Sequence, residues 1–130
     1  MTTIVRAVYL TKHFRQSEFT CRCRQPTCDA KPMNSEFMAL LEQLRTAWGK
    51  AMLPTSGQRC GPWNARMGGA PKSQHLEGRA ADFWFQDTNE LRQFVEAAEK
   101  VGFRGLGKGR HLVHLDNRTG EPARWIYRDK

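Results

Sequence analysis

Apolar side chains at Phe37, Leu40, Leu41, Leu44, Ala47 and Trp48 recur at spacings of three, four and seven, which marks one face of an amphipathic helix from about Glu36 to Lys50. Asn34-Ser35 offers a cap at its start, and Pro54 ends the region. Leu91, Phe94, Val95 and Ala98 repeat the rhythm in a second helix, which Thr88 can cap and which runs through Lys100. Ser17-Glu18-Phe19 predicts a helical turn, and a further short helix holds Asn64 to Met67 between turns at Gly61-Pro62 and Gly68-Gly69. The apolar stretch Ala80 to Phe85 predicts a buried strand. Leu53 to Arg59, Leu112 to Leu115 and Arg124 to Tyr127 predict three more, with Gly102 to Gly107 and Asn117 to Glu121 as turns. Helices packed on a small, mostly antiparallel sheet make an α+β domain.

A chain of 130 residues, 39% of them hydrophobic, can bury a core as one domain over 1–130 without disulfides, and no linker, repeat or low-complexity stretch divides it. The N-terminal residues lack the apolar run of a secretory signal, and no segment nears the roughly 20 apolar residues of a membrane span. Synthesis in the cytoplasm and a monomeric protein are the expectations. A net charge of +8 favours polyanionic partners, whether nucleic acid or the anionic bacterial wall. Nucleic acid is the weaker choice. Lysine and arginine are scattered, no helix-turn-helix or zinc-finger spacing occurs, and the four tryptophans are not interleaved with basic runs. A solvated basic surface that keeps the protein soluble is the plainer reading.

Chemistry concentrates in two places. His75 and Asp82 stand seven apart around Gly78, where a missing Cβ lets the chain turn between them. The later run His111-Leu112-Val113-His114-Leu115-Asp116 adds imidazoles. Imidazole nitrogen with carboxylate oxygen suits zinc, and His75, Asp82 and His114 would give a catalytic ion three ligands and an open position. The competing readings are a loop histidine at His75, a hydrogen-bonded strand-end carboxylate at Asp82 and a satisfied core imidazole at His114. His13 has no such context and reads as a surface residue.

Thr55-Ser56-Gly57-Gln58-Arg59-Cys60 and the run from Asn64 to Asp82 resemble the M15 family of zinc peptidases, in particular its short phage and bacterial members. Its pattern is S-G-x-R, a glycine-rich link, S-x-H-x-x-G-x-A-x-D and a late V-H-x-D. All four parts occur here in order, and the likeness extends from about Phe14 to Trp125. The resemblance implies a hedgehog/D-Ala-D-Ala peptidase-like fold and one catalytic Zn2+ on His75, Asp82 and His114. It also implies cleavage of bacterial peptidoglycan peptides at bonds involving D-amino acids, as carboxypeptidase or endopeptidase. A phage-type lysis enzyme would meet the cell wall only after release.

Arg59, in the S-G-x-R match, is the candidate to stabilise a developing oxyanion, since its guanidinium stays charged and presents fixed donors. A salt bridge to a nearby acid competes with that role. Many relatives place Glu or Asp three residues before the late zinc histidine, and another branch places His two before; here those positions hold His111 and Leu112. Asp116 should share a strand face with His114 and ranks ahead as acid, base or orienter of that histidine, with His111 as the alternative base. Ser73 and Gln74 shape the His75 loop or bind substrate. The other function classes are a zinc-binding module of this fold without hydrolysis, as in the distantly similar hedgehog signalling domain, and a basic nucleic-acid-binding protein.

Cys21, Cys23, Cys28 and Cys60 form a C-x-C-x4-C run with one distant partner. Four thiolates can close around a second, structural zinc, although the spacing is not the usual paired C-x-x-C. Free thiols in a reducing cytoplasm are the default, and disulfides formed after release are the third reading.

Overall fold

In the computed structural model, which describes residues 7–130, the Asn34 side chain accepts a hydrogen bond from Phe37 N at 2.9 Å and starts helix α1, Ser35–Trp48. Gly49 ends it in the left-handed region at φ 73°, two residues before the expected limit. Phe37, Met38, Leu41 and Leu44 are buried, whereas Ala47 lies off the stripe and is exposed. The second long helix, here α3, spans Thr88–Val101. Its cap is Asp87 and not Thr88: the carboxylate accepts from Asn89 N at 2.7 Å and Glu90 N at 3.1 Å. Between them lies α2, Gly61–Arg66, which takes Gly61-Pro62 into its first turn because the missing proline N–H has no partner to lose there. Two 3-10 turns, Gln16–Glu18 and Gln74–Glu77, complete the helical elements.

Five strands form one sheet in the order β1-β2-β4-β3-β5. They are β1 (Pro54–Ser56), β2 (Ala80–Trp84), β3 (Gly105–Lys108), β4 (Leu112–Asp116) and β5 (Ala123–Ile126). All pairings are antiparallel except β3 with β5. The strand expected over Leu53 to Arg59 shrinks to three residues, after which the chain leaves the sheet toward α2. The glycine run read as a turn carries β3 instead.

Alternation along the strands separates two faces. Ala81, Phe83, Leu106, Val113 and Leu115 belong to the hydrophobic core with Phe37, Leu41 and Leu44 of α1 and Leu91, Phe94 and Ala98 of α3. Asp82, His114 and Asp116 point the other way, with Asp82 opposite His114 across β2 and β4. Helices α1 and α3 therefore cover one face, and the polar face meets α2, the 3-10 turn Gln74–Glu77 and loops. On that face β3 offers only Gly105, opposite Asp116, and Gly107, opposite His114. A Cβ on Gly105 would collide with the Asp116 carboxylate, and one on Gly107 with the Trp125 indole. The glycines thus make room for polar side chains and serve no turn.

Candidate metal centre

Each of the three candidate ligands arrives on a different element. His75 sits in the 3-10 turn Gln74–Glu77, whose cap Ser73 accepts from His75 N at 3.2 Å. Gly78 closes that turn at φ 68° against the Pro32 carbonyl, with no room for a side chain. Asp82 lies on β2 and His114 on β4. The structure brings all three together: one donor atom from each lies within 4.8 Å of the others, and all three residues are buried.

Hydrogen bonding selects the atoms that face one another. His75 Nδ1 donates to the Gly57 carbonyl at 2.7 Å, which leaves Nε2 for the site. Nε2 is 3.1 Å from Asp82 Oδ2 but is a buried ring nitrogen without a hydrogen bond. His114 Nδ1 lies 2.9 Å from Asp82 Oδ1, and its Nε2 lies 2.7 Å from Asp116 Oδ2. Protonated, His75 Nε2 pairs with Asp82; neutral, it is a buried acceptor with no donor beside a second imidazole and a carboxylate, the donor set and the unmet need that a zinc-class ion satisfies. The residues fit the metal.

Asp116 is fully buried behind His114. Arg118 grips it through Nε at 3.0 Å and a terminal nitrogen at 2.7 Å, and the Arg118 backbone N–H adds a third bond at 3.1 Å. Burial pushes the Asp116 carboxyl up, but the His114 and Arg118 hydrogen bonds outweigh it and bring the pKa down to about 2. Burial likewise raises Asp82, and the neighbouring His75 and His114 overcome it, holding that carboxyl well below the usual range. Burial alone would lower His114; its bonds to Asp116 and Asp82 raise it instead. His114 would hold a metal through Nδ1, the nitrogen that faces Asp82, while Asp116 keeps the proton on Nε2.

Arg59 makes the salt bridge and also reaches the site. Its Nε donates to Ser56 Oγ at 3.2 Å, and its terminal nitrogens donate to Asn64 Oδ1 at 3.1 Å and Asp82 Oδ2 at 3.3 Å. Asn64, buried on α2, also donates to the Ala70 carbonyl at 2.9 Å, which ties the glycine-rich link to the arginine. Gly69 passes so close to Asn64 that a Cβ would overlap its amide.

A cavity of 320 Å³ opens over the cluster. Arg59, Lys72, Arg118 and Lys130 make it cationic; Met67, Leu112, Trp125 and Tyr127 add apolar walls, and Ser73 and Gln74 line it as well. The Trp125 ring lies 5.2 Å from that of His114. Burial raises the Tyr127 hydroxyl and keeps it protonated, hence a donor. His111 is not brought to this cavity. It stacks on Trp84 with ring centroids 5.0 Å apart and bonds the Phe85 carbonyl through Nδ1 at 2.8 Å, in a neighbouring hollow. His13, at the surface, pairs with Glu42 at 2.6 Å.

Gly57, Asn64, Arg118, Trp125 and Tyr127 were not singled out from sequence. Only Gly57 had a signal, as the glycine of S-G-x-R, and there the working group is a backbone carbonyl. Comparison with curated proteins gave no match. Residues 12–116, a span that holds Arg59, all three candidate ligands and Asp116, match the model of the Peptidase M15 family. With its matched span reaching from the first described turn to the end of β4, the chain belongs to that family of metallopeptidases.

Proposed function

We propose that the protein is a zinc-dependent peptidase that cuts peptidoglycan stem-peptide or crosslink bonds involving D-amino acids. The observation that carries this reading is the buried His75–Asp82–His114 set beneath an open cavity rimmed by four cations. Those cations suit the carboxylates of stem peptides. Zinc, held by the three residues, supplies Lewis-acid polarisation of the scissile carbonyl and an acidified water. The protein's own groups then have separate tasks. Gly57 and Asp116 fix the tautomers of His75 and His114 through their far ring nitrogens. Arg59 holds Asp82 and turns its remaining donors toward charge that develops on the substrate oxygen. Tyr127, protonated, is a second donor in the cavity lining. The Trp84–His111 hollow lies beside the cavity, with Lys130 lining both, and His111 itself is outside the cavity.

Asp116 acts here as a positioning residue, because it is fully buried, bonded to His114 and sealed by Arg118, and does not line the cavity. No helix among the described residues is long and apolar enough to cross a membrane. With a charge of +8, this suits a phage-type lysis enzyme that meets an anionic wall after release.

A second reading, a metal-binding module of the same fold without hydrolysis, takes support from the cavity lining. Apart from the candidate ligands, no side-chain carboxylate or imidazole is among the described residues that line it. One experiment separates the two. Metal-loaded protein is incubated with purified stem peptides and crosslinked dimers, with chelated protein as control, and the products are weighed by mass spectrometry. Cleavage next to a D-residue that the chelator abolishes supports the peptidase. Intact peptides beside stoichiometric bound zinc would leave the module.

A further inference from the structure

Cys21, Cys23 and Cys28 belong to the segment after the first 3-10 turn and Cys60 to the loop before α2, yet their four sulfurs lie within 4.8 Å of one another. Cys21 Sγ and Cys60 Sγ are 3.7 Å apart. Sulfurs bound at about 2.3 Å in a tetrahedron sit about 3.8 Å from each other. A disulfide needs about 2.05 Å. We propose that these four cysteines form a second, closed tetrathiolate site for zinc, which ties the segment 19–28 to the loop that carries Arg59.

The local backbone is shaped for it. Arg24 is the one non-glycine among the described residues with positive φ, at 56°. A side chain held there is strained, and something nearby must offset the strain. The strained turn sits directly after Cys23 and swings the chain back so that Cys28, whose N–H bonds the Gln25 carbonyl at 3.1 Å, faces Cys23. Two backbone N–H groups point at sulfur: Gln25 N at 3.5 Å from Cys23 Sγ, and Cys60 N at 3.4 Å from Cys21 Sγ. Amides aimed at sulfur are the partners of a thiolate that carries charge. Cys21 and Cys60 are buried while Cys28 is exposed, which gives an ion a route in.

With four thiolates the ion has no open position, so its work is structural. What it would brace is specific. Gln58 N donates to the Phe19 carbonyl at 2.7 Å, and Gly57 lies so tightly on the Phe19 backbone that a Cβ would clash. The same loop offers the Gly57 carbonyl to His75 and Arg59 to Asp82. The cysteine site therefore anchors two of the groups that orient the other centre, the Gly57 carbonyl and Arg59.

The test counts metal and does not depend on activity. Protein purified under reducing conditions without chelator should hold two zinc ions per chain, and His75→Ala should keep one, released in step with thiol modification by a mercurial. Cobalt loaded into His75→Ala should give intense thiolate-to-cobalt charge-transfer absorption. Cys28→Ser, at an exposed position that carries little packing, should weaken that band and lower the affinity at least tenfold. At most one zinc in the parent protein with four titratable thiols would overturn the proposal. So would disulfides among the four, iron in place of zinc, or an unaltered cobalt spectrum in Cys28→Ser. Zinc count and thiol titration of the parent protein together decide the matter even if a variant fails to fold: one zinc released in step with thiol modification keeps this site and empties the other.

Discussion

Arg59 has five N–H donors, and three are engaged by Ser56, Asn64 and Asp82, which leaves two for a substrate. Because one of those bonds ends on Asp82, a proposed zinc ligand, Arg59→Ala should act twice. Zinc affinity should fall about ten- to a hundredfold through the lost support of Asp82. Turnover at saturating zinc should fall a further hundred- to thousandfold, the usual loss for one preorganised oxyanion donor. Turnover restored to within a few-fold by added zinc would confine Arg59 to the first task. Asp116 and His111 are separated by the same pair of readouts. As the residue that positions His114, Asp116→Asn should weaken zinc binding about ten- to a hundredfold while turnover at saturating zinc stays within about tenfold of the parent. A proton-transferring Asp116 would leave affinity alone and cost about two to four orders of magnitude in turnover. His111→Gln, remote from the cavity, should change neither; a near-dead His111→Gln with zinc intact would return the base role to that imidazole.

Strand β3 shows where local reading of the chain fails. Gly105, Leu106 and Gly107 look like turn material, since glycine is a poor strand former. Their alternation is nonetheless that of a strand: Leu106 enters the core, and the glycines face the polar side because Asp116 and Trp125 occupy the space a Cβ would need. That reason is visible only once strands distant in sequence are paired. Gly105→Ala should accordingly destabilise the fold by about 1 to 3 kcal/mol, the scale of an overpacked interior, read as a lower urea midpoint with unchanged slope. A midpoint equal to the parent's would mean that Asp116 can move aside. The elements legible beforehand were those whose signal is local. Helices α1 and α3 announced themselves by apolar periodicity, β2 and β4 by apolar runs, and His75, Asp82 and His114 by their place in a motif. Asn64, Arg118 and the Gly57 carbonyl were not legible, since each acts through a contact that only the folded chain creates. The start of α2 was misplaced for a simpler reason: Gly-Pro serves equally as a turn and as a first helical turn.

A charge of +8 and a cavity rimmed by Arg59, Lys72, Arg118 and Lys130 act over different distances, and salt distinguishes them. On the proposed function, the molecular charge would draw the protein to an anionic wall across solvent, where the Debye length is about 10 Å at 0.1 M salt and about 3 Å at 1 M. Bonds within the site are shorter than either length. Asp116 and Arg118 meet at 2.7 Å, and the Asp116 side of that pair is fully buried, so added salt screens it little. The rate of wall solubilisation at low protein concentration should therefore fall steeply as salt rises from about 0.05 to 0.5 M, through encounter rather than chemistry. Turnover of a short soluble stem peptide at saturating concentration should stay nearly level over the same range, with zinc content unchanged. A parallel decline on both substrates would place the salt-sensitive interaction inside the cavity, on the contact between its cationic rim and the substrate carboxylate. Level rates on both would mean that the basic surface plays no part in reaching the wall, and that its charge serves solubility alone.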